Sequence, residues 1–319
     1  MSADLETLPW MQAPMESLRA ARAAGRLPAA LLIHEAPGTG GVQLATFFAQ
    51  LLLCTGTTPA CGQCKGCRRV LSGEHPDYIR LGPDPESKLG QITVDQVRDV
   101  AQQLSLSSYE GQGSCVVIEP AQALNRNAAN ALLKTLEEPR RDAHLVLLTT
   151  NPSLLPATIR SRCQKLPLRA PSPEQALSWL SARQPQHRSH WPAVLEILGV
   201  APLEALEADV PRLLALRQEI RQLLNEAGNG RIDVIRAAEA WAKDELALRL
   251  RCTENCLTAH VLAMRAGARL QDGALDINIG QALRILDDVR VLQGRLATSL
   301  NKPLAVEDLL WRLSRAGAG

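Results

Sequence analysis

A short apolar run, Ala30-Leu31-Leu32-Ile33-His34, leads straight into Glu35-Ala36-Pro37-Gly38-Thr39-Gly40-Gly41-Val42, and a helical pattern follows from Val42 to Cys54. A buried strand, a glycine-rich loop and a helix in immediate succession form the layout of a phosphate-binding loop, whose working pattern is G-x-x-x-x-G-K-[ST]. Here the chemistry of that pattern is gone. Glu35 stands at the first glycine position, Gly41 at the lysine and Val42 at the hydroxyl, so that only Gly40, with Gly38 inside the loop, remains. The lysine ordinarily neutralises the outer phosphates and the hydroxyl holds Mg²⁺. Glycine and valine do neither, and a carboxylate at Glu35 is expected to repel a triphosphate. The loop therefore reads as part of a nucleotidase fold that has given up its own turnover, with no ATP expected in it.

Around this junction the first half of the chain alternates strands and helices. Cys115-Val116-Val117-Ile118 and His144 to Thr149 read as further buried strands, and Asn127 to Leu136 reads as a helix closed by Pro139. Such alternation implies a mostly parallel sheet covered by helices on both faces. After about Leu168 the strand signals stop. Ser172-Pro173-Glu174 opens a helix, with serine as the cap and proline in the first turn. A small helical segment runs to about Leu206, and everything from Pro211 onward is helical in period, with breaks near Gly228–Gly230, Gly273 and Asn301–Pro303. Ala282, Ile285, Val289, Leu292 and Leu296 make one apolar stripe on a helix, which fits packing inside a bundle. The same stripe would also fit a partner subunit.

The 319 residues suit two or three domains, at roughly 150 residues each. Net charge is +2, which gives no general argument for nucleic acid or membrane, and 3% aromatic residues make base stacking an unsuitable mechanism. No secretory signal is legible, and no apolar run approaches the ~20 residues a membrane helix needs. The expected location is cytoplasmic. Eight cysteines in such a chain point to metal or spare thiols. Four of them, Cys54, Cys61, Cys64 and Cys67, form C-x6-C-x2-C-x2-C among turn-forming residues, including Gly56, Pro59, Gly62 and Gly66. That spacing suits a tetrahedral, structural Zn²⁺ with no position left for water. Cys115 reads as a core residue, Cys252 and Cys256 as packing residues on one helix, and His187 with His190 as an exposed polar pair without a role.

The remaining parts of a nucleotidase are equally worn. The strand ending at Ile118 should be followed by an Asp for Mg²⁺ and a Glu to activate water; the sequence has Glu119 and Pro120. Thr149-Thr150-Asn151 stands where a polar residue would sense a γ-phosphate, but it also reads as a strand-end cap. Thr158-Ile159-Arg160-Ser161-Arg162-Cys163 puts two arginines on a short turn. They are either surface charge or the source of a guanidinium offered to a neighbouring subunit's phosphate.

The whole chain resembles the delta-prime subunits of bacterial DNA polymerase III clamp loaders, relatives of the AAA+ ATPases. The likeness is carried by the cysteine cluster after the loop helix, His75-Pro76-Asp77-Tyr78, the run Asn127-Ala128-Ala129-Asn130-Ala131-Leu132-Leu133-Lys134-Thr135-Leu136-Glu137-Glu138-Pro139, Ser161-Arg162-Cys163, and Asn301 to Leu310. The resemblance implies a RecA-like α/β domain over 1–168 with an inserted zinc module at 54–67, a small helical lid domain over 169–207 and an all-α collar over 208–319. It implies a hetero-pentamer with delta and gamma/tau subunits that opens a sliding clamp and closes it on primed DNA. DNA synthesis itself then lies in other subunits of the polymerase III holoenzyme. Arg162 matches the arginine-finger position. Leu203 matches the place of a nucleotide-contacting arginine in the ATPase relatives, a third loss in the same direction. The first gap in the cysteine cluster is six residues where eight is expected.

Two other readings compete. An active gamma/tau-type ATPase would need the missing lysine. A DNA-binding zinc module would need a basic, aromatic-bearing face, and the loop offers only Lys65, Arg68 and Arg69.

Overall fold

Residues Ser114–Ile118 and Ala143–Thr149 are buried at every position. Only strands flanked by neighbours in the sheet and covered on both faces meet that condition. The computed structural model describes residues 8–85, 90–105, 108–228, 231–267, 277–296 and 300–317. It divides into two compact units, Met1–Pro171 and Ser172–Gly319. In chain order the first unit contains α1 (Gln12–Ala23), β1 (Ala30–Glu35), α2 (Gly41–Leu53), α3 (Lys65–Ser72), β2 (Tyr78–Leu81) and α4 (Val94–Ser105). Next come β3 (Ser114–Ile118), α5 (Arg126–Glu137), β4 (Ala143–Thr149), α6 (Ala157–Arg162) and β5 (Gln164–Leu168). The strands form one sheet in the order β2-β3-β4-β1-β5, and every pairing is parallel.

The sequence pattern led to three strands, and the sheet has two more. Both stand at its edges. β2 is only four residues long and carries Arg80, and β5 exposes Gln164 and Lys165. Short, polar edge strands resist mispairing with other chains, but that design removes the apolar signal by which a strand is read. The segment expected as a turn bearing Arg160 and Arg162 is the helix α6.

One apolar cluster joins Leu32, Val116, Ile118, Leu145 and Leu147 of the sheet to Val97, Val100 and Leu104 of α4 and to Ala128, Leu132 and Leu136 of α5. Each fully buried leucine there stabilises the fold by about 1.5–3 kcal/mol. Cys115 is a wholly buried member of β3, as expected, and burial pushes its thiol up to about 12.

The second unit is entirely helical among its described residues: α7 (Pro173–Arg183), α8 (Trp191–Leu198), α9 (Pro202–Glu207), α10 (Val210–Gly228), α11 (Val234–Lys243), α12 (Leu246–Arg265), α13 (Ile279–Arg295) and α14 (Lys302–Gly317). It opens on a reciprocal cap, in which the Ser172 hydroxyl accepts the Gln175 N–H while Gln175 Oε1 accepts the Ser172 N–H. Helix α8 packs against α10 and α12, and α12 against α13. Glu196 of α8 lies 3.8 Å from Arg221 and also bonds Arg217, both on α10, while Glu204 of α9 pairs with Arg251 of α12. The stripe Ala282, Ile285, Val289 and Leu292 is buried on α13, so intramolecular packing accounts for it; Leu296 lies just past the helix and is half-buried. Cys252 and Cys256 are buried side by side, 3.9 Å apart. The break expected at Gly273 lies outside the described residues. No helix among the described residues is long and apolar enough to cross a membrane.

Candidate functional site

Ligands of open parallel sheets collect at the carboxyl ends of the strands, and β1 ends in the glycine loop. Gly38 and Gly40 have φ values of 68° and 105°, a left-handed region that glycine enters without steric cost. These two positions require glycine because the loop takes left-handed turns there. Position 35 makes no such demand. It is the last residue of β1, paired with Leu168 of β5.

Sequence reasoning placed the Glu35 carboxylate as a charge opposing a bound triphosphate. In the structure it turns inward. Glu35 is only 9% exposed, and its Oε2 accepts the backbone N–H of Gly41 at 2.6 Å. That N–H opens α2, at the end where a helix presents its donors to an anion. Thr39 is fully buried and donates its hydroxyl to the Ala36 carbonyl at 2.7 Å. From the chain's start, the Trp10 indole N–H donates to the Thr39 carbonyl at 2.8 Å and ties the loop down. A Cβ on Gly41 would sit 2.5 Å from Glu35 Cδ and 2.5 Å from Leu148 Cδ1. A side chain at the lysine position therefore requires Glu35 and Leu148 to shift. Burial raises the Glu35 carboxyl above its ordinary value against the opposing bond from Gly41, and the charge of Glu119 adds to the rise.

Beyond β3, Glu119 accepts from Arg80 Nη2 at 3.0 Å, and Pro120 follows with no side-chain donor or acceptor. After β4, Thr149 donates to Gln122 Oε1 at 2.6 Å, and Gln122 Nε2 donates to Thr150 Oγ1 at 3.1 Å. Asn151 caps the turn at 152–154 by accepting the Ser153 N–H. These polar groups engage one another, which is the strand-end-cap reading of the sequence. Arg80 and Gln122 carry no signal in the sequence; their roles come from strands and turns distant in the chain.

Cys54, Cys61, Cys64 and Cys67 converge, with their sulfurs all within 4.8 Å of one another. Cys54 Sγ lies 3.7 Å from Cys61 Sγ and 3.8 Å from Cys64 Sγ. A tetrahedral zinc–thiolate shell with bonds of about 2.3 Å spaces its sulfurs on the order of 3.8 Å apart. The four thiols form a cluster that could hold a metal ion. The backbone N–H groups of Gly56, Cys64 and Cys67 donate to the sulfurs of Cys54, Cys61 and Cys64 at 3.3–3.4 Å. Against the opposing effect of burial, the Cys67 N–H and Thr55 draw the Cys64 thiol down to about 5. Gly66 is required by contact, since a Cβ there would meet the Leu53 carbonyl at 2.3 Å.

The His75-Pro76-Asp77-Tyr78 motif anchors this module. Asp77 accepts the N–H groups of Tyr109 at 2.7 Å and Glu110 at 3.0 Å, and Arg69 of α3 pairs with Glu110 at 2.5 Å. His75, buried beside them, accepts the Asp77 N–H at 3.2 Å through Nδ1.

Arg162 ends α6. Its Nη1 donates to the Thr158 carbonyl at 3.0 Å and its Nη2 to Glu137 Oε1 at 2.5 Å, with 35% of the side chain exposed. β5 starts two residues later and runs parallel to β1, with Gln164 beside Leu31 and Leu168 beside Glu35. Arg162 thus lies at the opposite end of the paired strands from its own loop, beyond a strand length on the order of 13 Å. The structure therefore does not bring Arg162 to residues 35–42. Glu137 belongs to the run that carried the family likeness, yet its partner shows only once α5 and α6 pack together. In the second unit, Leu203 is half-buried on α9, and His187 differs from expectation: it is half-buried, with its ring edge-on to Trp191 at 5.6 Å.

A five-stranded parallel sheet in the order β5-β1-β4-β3-β2, with a glycine loop after β1, defines a RecA-like domain of the AAA+ type. A family profile described as "DNA polymerase III, delta subunit" matches residues 10–172. The delta-prime subunit of DNA polymerase III from Pseudomonas aeruginosa is 35% identical over 238 residues, 73% of this chain and 70% of that protein. The delta-prime subunit from Escherichia coli is 39% identical over 201 residues, 62% of this chain and 59% of that protein. The tau subunit of Escherichia coli is 34% identical over 180 residues, 56% of this chain but 27% of tau. The chain belongs to the family of DNA polymerase III delta-prime subunits.

The inward carboxyl predicts a pH signature. A carboxyl whose folded pKa is raised gives stability that is fully present below its unfolded value and is lost as pH rises through the folded value. Wild-type protein should therefore lose stability relative to Glu35→Gln as pH rises from about 4.5, by at most about 1.4 kcal/mol per pH unit. The difference should then level off. Denaturant unfolding of both proteins across this range checks it; a difference that stays constant or moves the other way would contradict the buried carboxyl.

Proposed function

We propose that this chain is the delta-prime-type subunit of a DNA polymerase III clamp loader, one that turns over no nucleotide itself and completes a neighbour's site. The loader would be a hetero-pentamer with delta and gamma/tau subunits, acting in the cytoplasm to open a sliding clamp and close it on primed DNA. The finer division of the chain is a RecA-like domain over 1–168, a lid over 169–207 and a collar over 208–319. The observation that carries this reading is the pairing of a closed loop with an outward arginine. Gly41 and Val42 supply no phosphate cation and no metal hydroxyl, and Pro120 supplies no base. Arg162 is half-exposed at the far end of the paired strands, out of reach of its own loop.

A guanidinium suits a trans role because it is permanently charged and forks onto phosphate oxygens. Its bond to Glu137 is an exposed ion pair, worth about 0–1 kcal/mol, so a neighbouring phosphate can displace it. The gamma/tau reading is weakened by the same closed loop. The DNA-binding reading of the cysteine module is weakened because Arg69 is committed to Glu110, which leaves Lys65 and Arg68 as its exposed cations.

Arg162→Ala should change folding stability by less than about 1 kcal/mol and leave assembly intact. It should lower, without abolishing, the clamp- and DNA-stimulated ATPase of the assembled loader, since one site of several depends on this subunit. An arginine finger is worth about 10³–10⁵ in rate at the site it serves. Arg162→Lys should rescue poorly. Unchanged ATPase and clamp-loading rates in the Arg162→Ala loader would make Arg162 ordinary surface charge.

We also propose that the cysteines hold one structural Zn²⁺. Elemental analysis should find about one zinc per chain, and Cys64→Ser should lose it while the sheet domain stays folded, because the main core lies elsewhere. Metal-free wild-type protein of unchanged stability would defeat this assignment.

A further inference from the structure

We propose that the Glu35 carboxyl occupies the anion seat of the 35–42 loop as a permanent internal substitute for a nucleotide phosphate. Glu35 thereby closes the loop independently of the missing lysine. The proposal rests on reading the loop as a degenerate phosphate loop, and it adds a cause that this reading lacks. A loop that had merely lost its lysine and hydroxyl would keep an open cradle of backbone donors at the start of α2. This one does not. The Gly41 N–H is taken by Glu35 Oε2 at 2.6 Å, and the Thr39 hydroxyl is taken by the Ala36 carbonyl at 2.7 Å. The carboxyl is nine-tenths buried in the loop and is not a charge at its mouth.

The backbone retains the shape of a working loop, since Gly38 and Gly40 keep left-handed φ angles of 68° and 105°. A loop free to collapse would not need two glycines in that region. The seat has been kept and filled. A Cβ at position 41 would meet both Glu35 Cδ and Leu148 Cδ1 at 2.5 Å, so a side chain there requires both to shift. A lysine restored at 41 would either clash with the carboxyl or, after the carboxyl shifted, pair with it; in both cases a nucleotide phosphate competes with an anion tethered to β1.

The test is a reconstruction of the loop, read by binding of a fluorescent ATP analogue with Mg²⁺ to the full chain. Wild-type protein and Gly41→Lys/Val42→Thr should both bind negligibly. Glu35→Gly/Gly41→Lys/Val42→Thr should bind at least about tenfold more tightly than either, a difference of about 1.4 kcal/mol. Equal affinities in the double and triple variants, with a non-binding wild type, would overturn the proposal and leave the degenerate-loop reading standing. So would a triple variant no better than wild type. A wild type that binds as tightly as the triple variant would overturn both. If the lysine variants do not fold, Glu35→Ala serves alone. Millimolar inorganic pyrophosphate should raise its melting temperature and not that of wild type, and equal responses would overturn the proposal.

Discussion

The hydrogen bond from the Gly41 amide to the Glu35 carboxyl links the end of the central strand β1 to the first turn of α2. It joins the two elements that, in an active phosphate loop, are joined through a bound phosphate. A helix start leaves unpaired N–H donors, and leaving such a group buried and unmatched costs about 1–3 kcal/mol. An enzyme that cycles nucleotide meets that need with its substrate. Here the Glu35 carboxyl meets it for the Gly41 N–H. The carboxyl is raised by burial, yet its oxygen accepts the Gly41 N–H in either protonation state.

The polar groups around this bond engage one another. Arg80 engages Glu119, the Gln122 amide engages Thr149 and Thr150, and Trp10 ties the loop from outside. Among the described residues these groups at the carboxyl ends of the strands engage one another, whereas Arg162 is half-exposed at the opposite end. Parallel pairing of β5 with β1 separates the two: one end of the strands carries the closed loop and the other an arginine bonded to an exposed glutamate and a helix carbonyl. On the proposed function, the polarity of a parallel sheet would let one subunit be inert toward its own nucleotide and available to another's.

Much of this was legible in the sequence, for a physical reason. A phosphate loop and a four-cysteine cluster are local patterns, in which backbone path and ligand spacing are set within about fifteen residues. The central strands announce themselves because burial on both faces demands unbroken apolar runs. What remained hidden depends on packing between distant segments. Glu35 at a glycine position reads as a loss, and nothing in the sequence says that its carboxyl turns back onto Gly41. Glu137 and Arg162 meet across α5 and α6, and Asp77 gathers the loop at 109–110 from more than thirty residues away. The edge strands β2 and β5 escaped notice because their polar residues, which protect the sheet margin, erase the alternation by which strands are recognised.

The central claim is that the loop is filled by its own carboxyl and admits no nucleotide. Amide hydrogen exchange reads this directly, because the Gly41 N–H is the bond in question. Exchange should be measured over residues 39–42 of the wild-type chain with and without millimolar Mg²⁺-ATP. The account predicts slow exchange at Gly41 that ATP leaves unchanged. Fast exchange at Gly41 without nucleotide, slowed when ATP is added, would show an open seat that binds phosphate, and would contradict it.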